Sequence, residues 1–394
     1  MSSAPLATAD QAPAAAMRRL EAFARQHSLP LWATSGFDRG ARCFHERLDF
    51  RGEPIKDLPR RMMVQARQIV VYARSSQLGW HNDSEHCALV AFETARLRYH
   101  SPDGNPGWAF SVQPDGRIAD PTRDLYAHAF VLYMLAWVYK LNSDPAVLAL
   151  ADATLSEIDQ VFFAGGGPGY LSKVPGATNV REQNPHMHLF EALLALAEAS
   201  GAERYLARAN AIVDLFDNAL ADPATGTVRE VFDADWRVQK PPGANLVEPG
   251  HQLEWTWLLR EWGRLAGRVV DERVSRLSGH ATAFGIDAAT GLVRSLVQED
   301  GKIVSSAARV WPQTEAVRAL CCEDPEGTKW PGLVAAITEN LFAVHLPARL
   351  NGGWIDQINE DGQAAIDYMP ASTLYHLVCA AIDGKGACER RGHR

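Results

Sequence analysis

Six prolines punctuate this chain of 394 residues, at Pro59, Pro121, Pro185, Pro249, Pro312 and Pro370, separated by 62, 64, 64, 63 and 58 residues. After each comes a segment of helical spacing with polar or ionisable residues near its start. Proline fits the first turn of a helix, where its missing N–H has no partner to lose. The series therefore predicts six copies of one unit, each presenting a helix N-terminus. Such a unit cannot bury its apolar face alone, so neighbours must stack, either as an open solenoid or as a closed ring.

The intervening sequence carries the same pattern. Behind Pro59, MMVQARQIVVYA is apolar along one helical face, and NDSEHCALVAFETARLRY follows as a second helix. DLYAHAFVLYMLAWVYKL pairs with PAVLALADATLSEIDQVF, HMHLFEALLALAEAS with AERYLARANAIVDLFDNAL, and GHQLEWTWLLREWGRLAG with VDERVSRLSGHATAF. The fifth pair is QTEAVRALCC with WPGLVAAITENLFAVHL. The last proline opens ASTLYHLVCAAI, whose expected partner is the N-terminal APAAAMRRLEAFARQH. Periodicity thus predicts about twelve helices. Between pairs lie short alternating runs: WAFSVQPDGRIAD, TGTVREVFDADWRV, GLVRSLVQEDGKIV and GGWIDQINEDGQAAI. Asp-Gly between such runs signals a hairpin. The fold class expected is all-α, closing most simply as a toroid of six helical hairpins with short β-hairpins at one end.

No Pro/Gly/Ser-rich linker or charge run divides the chain, so one domain is expected over 16–386, behind a disordered lead-in over 1–15. With 47% apolar residues the chain can build a large core. Its net charge of −8 and the lack of a basic stripe argue against a polyanion partner, so no nucleic acid is expected. Apolar runs are too short or too interrupted to span a bilayer, and the N-terminus lacks the features of a signal peptide. Six cysteines without CxxC spacing fit reduced thiols in a cytoplasmic protein.

The residues behind the prolines are the candidates for chemistry. In Glu248-Pro-Gly-His251-Gln-Leu-Glu254-Trp255, the histidine sits in the first helical turn and Glu254 shares its face three residues on. The helix N-terminus disfavours imidazolium and the neighbouring carboxylate favours it, a balance the sequence leaves open. A capping histidine packed among Trp255 and Trp257 is the structural alternative. Asn184-Pro-His186-Met-His188-Leu-Phe-Glu191 repeats the arrangement one unit earlier, with His188 on the Glu191 face and His186 turned outward. Trp311-Pro-Gln-Thr-Glu315 suits a sugar, whose C–H face stacks on indole while its hydroxyls bind a carboxylate; a buried aromatic is the alternative. Ser372 and Thr373 are N-cap candidates that put His376 in another first turn. Arg67, in VQARQIVVYA, is a cation amid apolar residues, either buried with a partner or aimed at a pocket. The second unit offers only Tyr126 and His128. Two His-x-x-Glu pairs could supply a metal, but HExxH, Cys-rich spacings and acidic calcium loops are missing, so no metal is expected. No G-x-S-x-G elbow, G-x-G-x-x-G or P-loop occurs, and GGGPG at 165–169 reads as a loop.

EPGHQLEWTWLL, NPHMHLFEAL, WPQTEAVRAL, MPASTLYH and QARQIVVYA together resemble the N-acylglucosamine 2-epimerase superfamily, over roughly residues 20 to 385. The PGH-x-(I/L)-E-W string is the most specific part, and MPASTxYH with QLEWTWLL lies nearest the mannose isomerase branch. The resemblance implies an (α/α)6 barrel, in line with the repeat count, and a cofactor-independent enzyme acting on a monosaccharide. It implies His251 and His376 as acid/base catalysts and Arg67 as the cation near the substrate carbonyl and O2. Asn184, His188, Glu254, Trp311 and Glu315 match sugar-contacting positions, and Tyr126 matches a pocket tyrosine. The chain departs from the pattern at Met63, where relatives often carry tryptophan, and at Val310, where cellobiose epimerases tend to add a second tryptophan to Trp311. The approach loop Lys240-Pro-Pro-Gly-Ala-Asn-Leu-Val-Glu-Pro lacks an arginine, which argues against an anionic clamp for a sulfonated sugar.

The expected reaction is interconversion of D-mannose and D-fructose, with D-lyxose and D-xylulose as further substrates, by ring opening and enediolate proton transfer. C1–C2 proton transfer falls to His376 and ring opening to His251, or with the roles exchanged. Return of the proton to the other face of C2 would make the same residues a 2-epimerase of N-acylglucosamine or cellobiose type. A sulfoquinovose isomerase, a non-catalytic sugar-binding protein and a carboxylate-based hydrolase are the remaining alternatives. The chain acts alone or as a homodimer.

Overall fold

The computed structural model describes residues 12–389 other than Gln239, Glu326 and Pro331. Helix α1 (Ala12–Phe23) runs through a π turn, Ala24–Ser28, into the short α2 (Leu29–Thr34). Then come α3 (Met62–Gln77) with α4 (Ser84–Tyr99), α5 (Leu125–Asn142) with α6 (Pro145–Val161), and α7 (Gln183–Ser200) with α8 (Glu203–Leu215). They are followed by α9 (Pro249–Ala266) with α10 (Asp271–His280), α11 (Val310–Glu323) with α12 (Leu333–Asn340), and α13 (Thr373–Glu389). Every helix expected from periodicity is present, and α2 is the addition. Residues 1–11, most of the lead-in expected to be disordered, lie outside the described residues.

Helix α3 packs on α5, α5 on α7, α7 on α9, α9 on α11, α11 on α13, and α13 back on α3, a closed circuit of first helices. Each second helix packs against its own partner, and α1 takes that place beside α13, as the N-terminal pattern predicts. A helix in the circuit meets neighbours on several sides. This is why α5, LYAHAFVLYMLAWVYKLN, is apolar almost all round, whereas α8 buries only the stripe Tyr205, Ala209, Ile212, Val213 and Leu215. Fully buried side chains such as Phe130, Leu132 and Leu135 each contribute about 1.5–3 kcal/mol to that packing. Asp124 caps α5 by accepting the Ala127 N–H at 2.8 Å, and Asp144 caps α6 ahead of Pro145. No helix among the described residues is long and apolar enough to cross a membrane.

The prolines mark the right places in two geometries. Pro249 opens α9, and Pro185 and Pro312 lie in the first turns of α7 and α11. Pro59, Pro121 and Pro370 instead stand before their helices, ahead of strands Arg60–Arg61 and Arg123–Asp124 and at the end of strand Tyr368–Pro370. The reason is strand pairing between units. Each strand entering a circuit helix pairs antiparallel with a strand from a neighbouring loop: Arg60–Arg61 with Ser111–Val112, Arg123–Asp124 with Lys173–Val174, and Val180–Glu182 with Val231–Asp233. Likewise Leu246–Val247 pairs with Leu296–Gln298, Ala308–Arg309 with Gln357–Ile358, and Tyr368–Pro370 with Arg47–Asp49. The hairpins expected around Asp115-Gly116 and Asp300-Gly301 form, and GGWIDQINEDGQAAI closes around Asp361-Gly362 through a bridge between Ile358 and Ala364 while also pairing with the adjacent unit; TGTVREVFDADWRV gives its strand to the adjacent unit. These strands lead into the helix N-termini and hold all six at one end.

A second repeat, independent of the prolines, sets the rotation of these helices. Gln65, Gln252 and Gln313 each use the side-chain amide to bind both backbone groups of one loop residue, Phe44, Val228 and Val293 respectively. His128 and His186 fill the same position. Their Nδ1 atoms lie 2.7 and 2.8 Å from the Asp124 and Glu182 carbonyls, and their Nε2 atoms accept the N–H of Trp108 and Tyr170 at 2.9 and 3.0 Å. His186 is therefore buried, not turned outward as the sequence suggests. Burial pushes both rings down to about 4, so they stay neutral anchors. At both histidine positions the residue before the bound loop N–H is glycine: a Cβ on Gly107 or Gly169 would lie 2.7 or 2.8 Å from Nε2. Gly169→Ala, at φ 77°, is expected to cost about 1–3 kcal/mol in urea unfolding, and His186→Gln less than that.

Candidate active site

Two residues after these anchors come Arg67, Phe130, His188, Glu254 and Glu315, and the corresponding turn of α13 carries Tyr375 and His376. The anchors fix how each helix is turned, so these positions converge inside the circuit. The Phe130 ring lies 4.6 Å from His188 and 5.5 Å from Tyr375, and the Arg67 guanidinium sits 4.1 Å from the Phe130 ring. Two residues before the anchors stand Met63, Tyr126, Asn184 and Trp311, all half-buried, which makes them the more accessible layer.

Arg67 is both partnered and aimed inward: Nη2 donates to the Tyr126 hydroxyl at 2.5 Å, while Nε has no hydrogen bond. Tyr126 meets His188 edge-on at 4.9 Å. His188 places Nδ1 3.1 Å from Glu191 Oε2 and 3.7 Å from Glu254 Oε1. Burial lowers its pKa despite the hydrogen bond that its ring N–H donates to Glu191. The other oxygen of Glu191 accepts the Tyr375 hydroxyl. Glu254 is held well above the usual carboxylate range by burial and by the Glu315 and Glu191 carboxylates beside it. Its Oε1 and Asn184 Oδ1 are buried atoms without a hydrogen-bond partner. Together with Arg67 Nε they are polar groups that a polyhydroxylated ligand would satisfy.

The two histidines flanking Trp311 are poised oppositely. Trp311 lies 5.0 Å from the His251 ring and 5.9 Å from that of His376. His251 Nδ1 is 2.9 Å from Glu230 Oε2 and 3.8 Å from Glu248 Oε2. Burial opposes its charge, but the two carboxylates outweigh burial and raise its pKa to about 10. The balance left open by the sequence thus falls to imidazolium, and Glu230 rather than Glu254 tips it. His376 Nδ1 lies 2.7 Å from Glu315 Oε1, whose partner oxygen accepts the Trp257 indole N–H at 3.0 Å. Burial, with Arg67 and His188 nearby, holds His376 well below the usual imidazole range. The tautomer donating Nδ1–H to Glu315 leaves Nε2 as the acceptor.

A raised folded-state pKa gives a pH-dependent contribution to stability. For His251 it is fully present below 6.5 and lost as pH rises through about 10. Stability is expected to fall by on the order of a few kcal/mol across that window, and Glu230→Gln to flatten the fall, measured by urea unfolding from pH 6 to 10.5.

Of the nine residues that the resemblance marks, eight are linked by these contacts: Arg67, Tyr126, His188, His251, Glu254, Trp311, Glu315 and His376; Asn184 stands in the first turn of α7, two residues before its anchor like Tyr126 and Trp311. Sequence reasoning misses Phe130, which the anchor-plus-two spacing would find, and Tyr375, the neighbour of His376 on α13. It also misses Glu230, which comes from the strand region of the preceding unit and has no helical pattern to betray it. Among the described residues, His188, Glu191 and Glu254, and separately Glu230, Glu248 and His251, are grouped closely enough to offer three ligand atoms to a metal. In both groups the histidine Nδ1 is already bonded to a carboxylate.

The family model described as N-acylglucosamine 2-epimerase matches residues 43–380. The chain is 31% identical over 381 residues to mannose-6-phosphate isomerase of Rhizobium meliloti, covering 92% of this chain and 95% of that protein. It is 28% identical over 234 residues to D-mannose isomerase of Thermobifida fusca, covering 54% and 56%. Cellobiose 2-epimerase from Spirochaeta thermophila superposes with a TM-score of 0.85 at 20% identity, over 98% of this chain and 100% of the other. A D-mannose isomerase crystal structure gives 0.82 at 19%, over 97% and 99%. At that identity the two structures speak for a shared fold. The family match takes in five of the six circuit helices and the start of α13 with His376, and the chain belongs to the N-acylglucosamine 2-epimerase family.

Proposed function

We propose that this chain is a cofactor-independent aldose–ketose isomerase that interconverts D-mannose and D-fructose, with D-lyxose and D-xylulose as further substrates. The observation that carries the reading is the opposite poise of His251, charged beside Glu230 and Glu248, and His376, neutral beside Glu315. Two titratable groups driven apart by their surroundings supply an acid and a base at one pH. His251 gives its proton to the ring oxygen O5 as the C1–O5 bond breaks, and takes back the O1 hydroxyl proton as the C1 carbonyl forms. His376 Nε2 takes the proton from C2, the electron pair moves into a C1–C2 double bond, and the charge on the enediolate oxygens is met by Arg67. The proton then returns to C1 while the O2 hydroxyl proton passes to O1, which leaves the carbonyl at C2. Asn184, His188 and Glu254 bind hydroxyls, and Trp311 carries a sugar face. The closed helical circuit supports reading residues 16–386 as one (α/α)6 barrel.

Relatives named as isomerases of mannose and of mannose 6-phosphate favour the ketose product. Those named cellobiose 2-epimerase, including one from Bacteroides fragilis, favour the second reading, in which the proton returns to C2 from the opposite face. EDTA-treated protein incubated in D2O with mannose, mannose 6-phosphate, N-acetylmannosamine and cellobiose, and followed by NMR, separates the two. Fructose carrying deuterium is expected, at a rate unaltered by EDTA. An epimer without ketose would replace the isomerase by the epimerase, and no turnover of any sugar would sink both.

A further inference from the structure

Three residues further along the circuit helices, beyond the inward-facing layer, come Tyr133, Glu191, Trp257 and Arg318, all buried. Arg318 is the cation among them. Its Nη2 pairs with Asp383 Oδ2 at 2.5 Å, and Asp383 is shared with Arg74 of α3. Its Nη1 lies 3.6 Å from Glu315 Oε2 and 3.9 Å from Glu191 Oε1, while Cζ sits 3.3 Å over the Trp257 ring. Nε and Nη1 donate no hydrogen bond although the residue is 3% exposed. A guanidinium buried with donors unmatched is a poor packing element. What it does face is the far side of two carboxylates, Glu315, which holds His376 Nδ1, and Glu191, which holds His188 Nδ1.

We infer that Arg318 is a positioning residue: from beneath the sugar site it keeps Glu315 and Glu191 ionised, and so fixes His376 and His188 as Nδ1–H tautomers that present Nε2 to the substrate. The inference rests on the isomerase reading for the use made of Nε2, whereas the tautomers themselves can be measured without turnover.

The surroundings set the sign of the effect. Asp383, Tyr375 and Cys379 face Arg318 from α13, Tyr133 from α5, Arg74 from α3 and Glu254 from α9. His376 in turn meets Arg67, His188, Glu191, Glu315 and Arg318. Burial pushes Glu315 up, and Arg318 is the strongest charge pulling it back. Without the guanidinium, Glu315 takes a proton more readily, its carboxyl donates to Nδ1, and the ring proton moves to Nε2. Losing a nearby cation also lets His376 itself protonate at higher pH. Both changes disable the base from the acid side, so both raise the acidic limb of kcat.

Arg318→Met and Arg318→Lys are compared with the wild type by kcat and KM across pH, and by 15N-histidine NMR, which separates Nδ1–H from Nε2–H rings; loss of a signal in His376→Asn identifies the resonance. In Arg318→Met the acidic limb is expected to rise by about one pH unit or more, KM to change less than about threefold, and His376 to convert to Nε2–H. Arg318→Lys keeps the charge and holds limb and tautomer near wild type. Arg318→Gln, neutral but able to hydrogen-bond, replaces the Met variant if that one does not fold. An unmoved limb and tautomer in the neutral variant, or an Nε2–H His376 in the wild type at pH 7, would overturn the inference. A wild type that turns over no sugar would reject the isomerase reading, and the tautomers would still decide the role of Arg318.

Discussion

Replacing His376 with asparagine is expected to lower kcat for mannose by about 10²–10⁴-fold and to abolish deuterium exchange at C2. The asparagine amide can still donate to Glu315, and that carboxylate keeps the Trp257 indole N–H, so the surrounding packing survives. What disappears is the basic atom at the Nε2 position. On the proposed reading other residues hold the sugar, so KM should change little, and the loss should fall on kcat. Exchange retained in the variant would move the base elsewhere, with His251 the first candidate. The contrast with His186 sharpens the test. His186 is two residues before His188 in the same motif, yet its ring is committed to the Glu182 carbonyl and the Tyr170 N–H. Its replacement by glutamine should leave turnover near wild type.

Arg67→Gln is expected to cost about 10²–10³-fold in kcat. Arg67 is caged by aromatic faces, with its guanidinium carbon 4.1 Å from Phe130, 5.1 Å from Tyr375 and 5.5 Å from Tyr126. Such a cage keeps water from competing for the charge, so the cation acts at full strength on an enediolate oxygen. Glutamine keeps a donor and loses the charge, which matters most where charge develops. Arg67 also helps hold His376 below its usual range, so the variant should protonate that histidine at higher pH and move the acidic limb of kcat upward. A loss confined to KM, with an unmoved limb, would reduce Arg67 to a binding residue.

The helix pairs are readable from sequence because circuit helices are apolar almost all round and their outer partners along one stripe. DLYAHAFVLYMLAWVYKL and AERYLARANAIVDLFDNAL differ in just that respect. Even the pairing of α13 with α1 across the whole chain follows from counting units. The offset of Pro59, Pro121 and Pro370 from their helices does not, since it depends on strands pairing with a neighbouring unit, and local spacing carries no record of that partner. In the site, residues on the circuit helices are readable because each stands at a fixed step behind its helix start. Within Asn184-Pro-His186-Met-His188 the same histidine has two fates, because two residues of helix rotate a side chain by about 200°. Glu230 escapes notice in the bend before a strand, and Arg318 in TEAVRALCC has the pattern of an ordinary helical arginine.

Closure of the helical circuit has a consequence for how this chain comes to life. Helix α13 sits between α11 and α3 and also bears His376. Synthesis runs from the N-terminus, so the other five circuit helices leave the ribosome before it. Until α13 docks, the ring has an open seam, and the histidine proposed as the base is not yet in place. On the proposed mechanism, architectural completion and chemical competence arrive in a single step, and a product that stops short of α13 is expected to be both unsealed and inert.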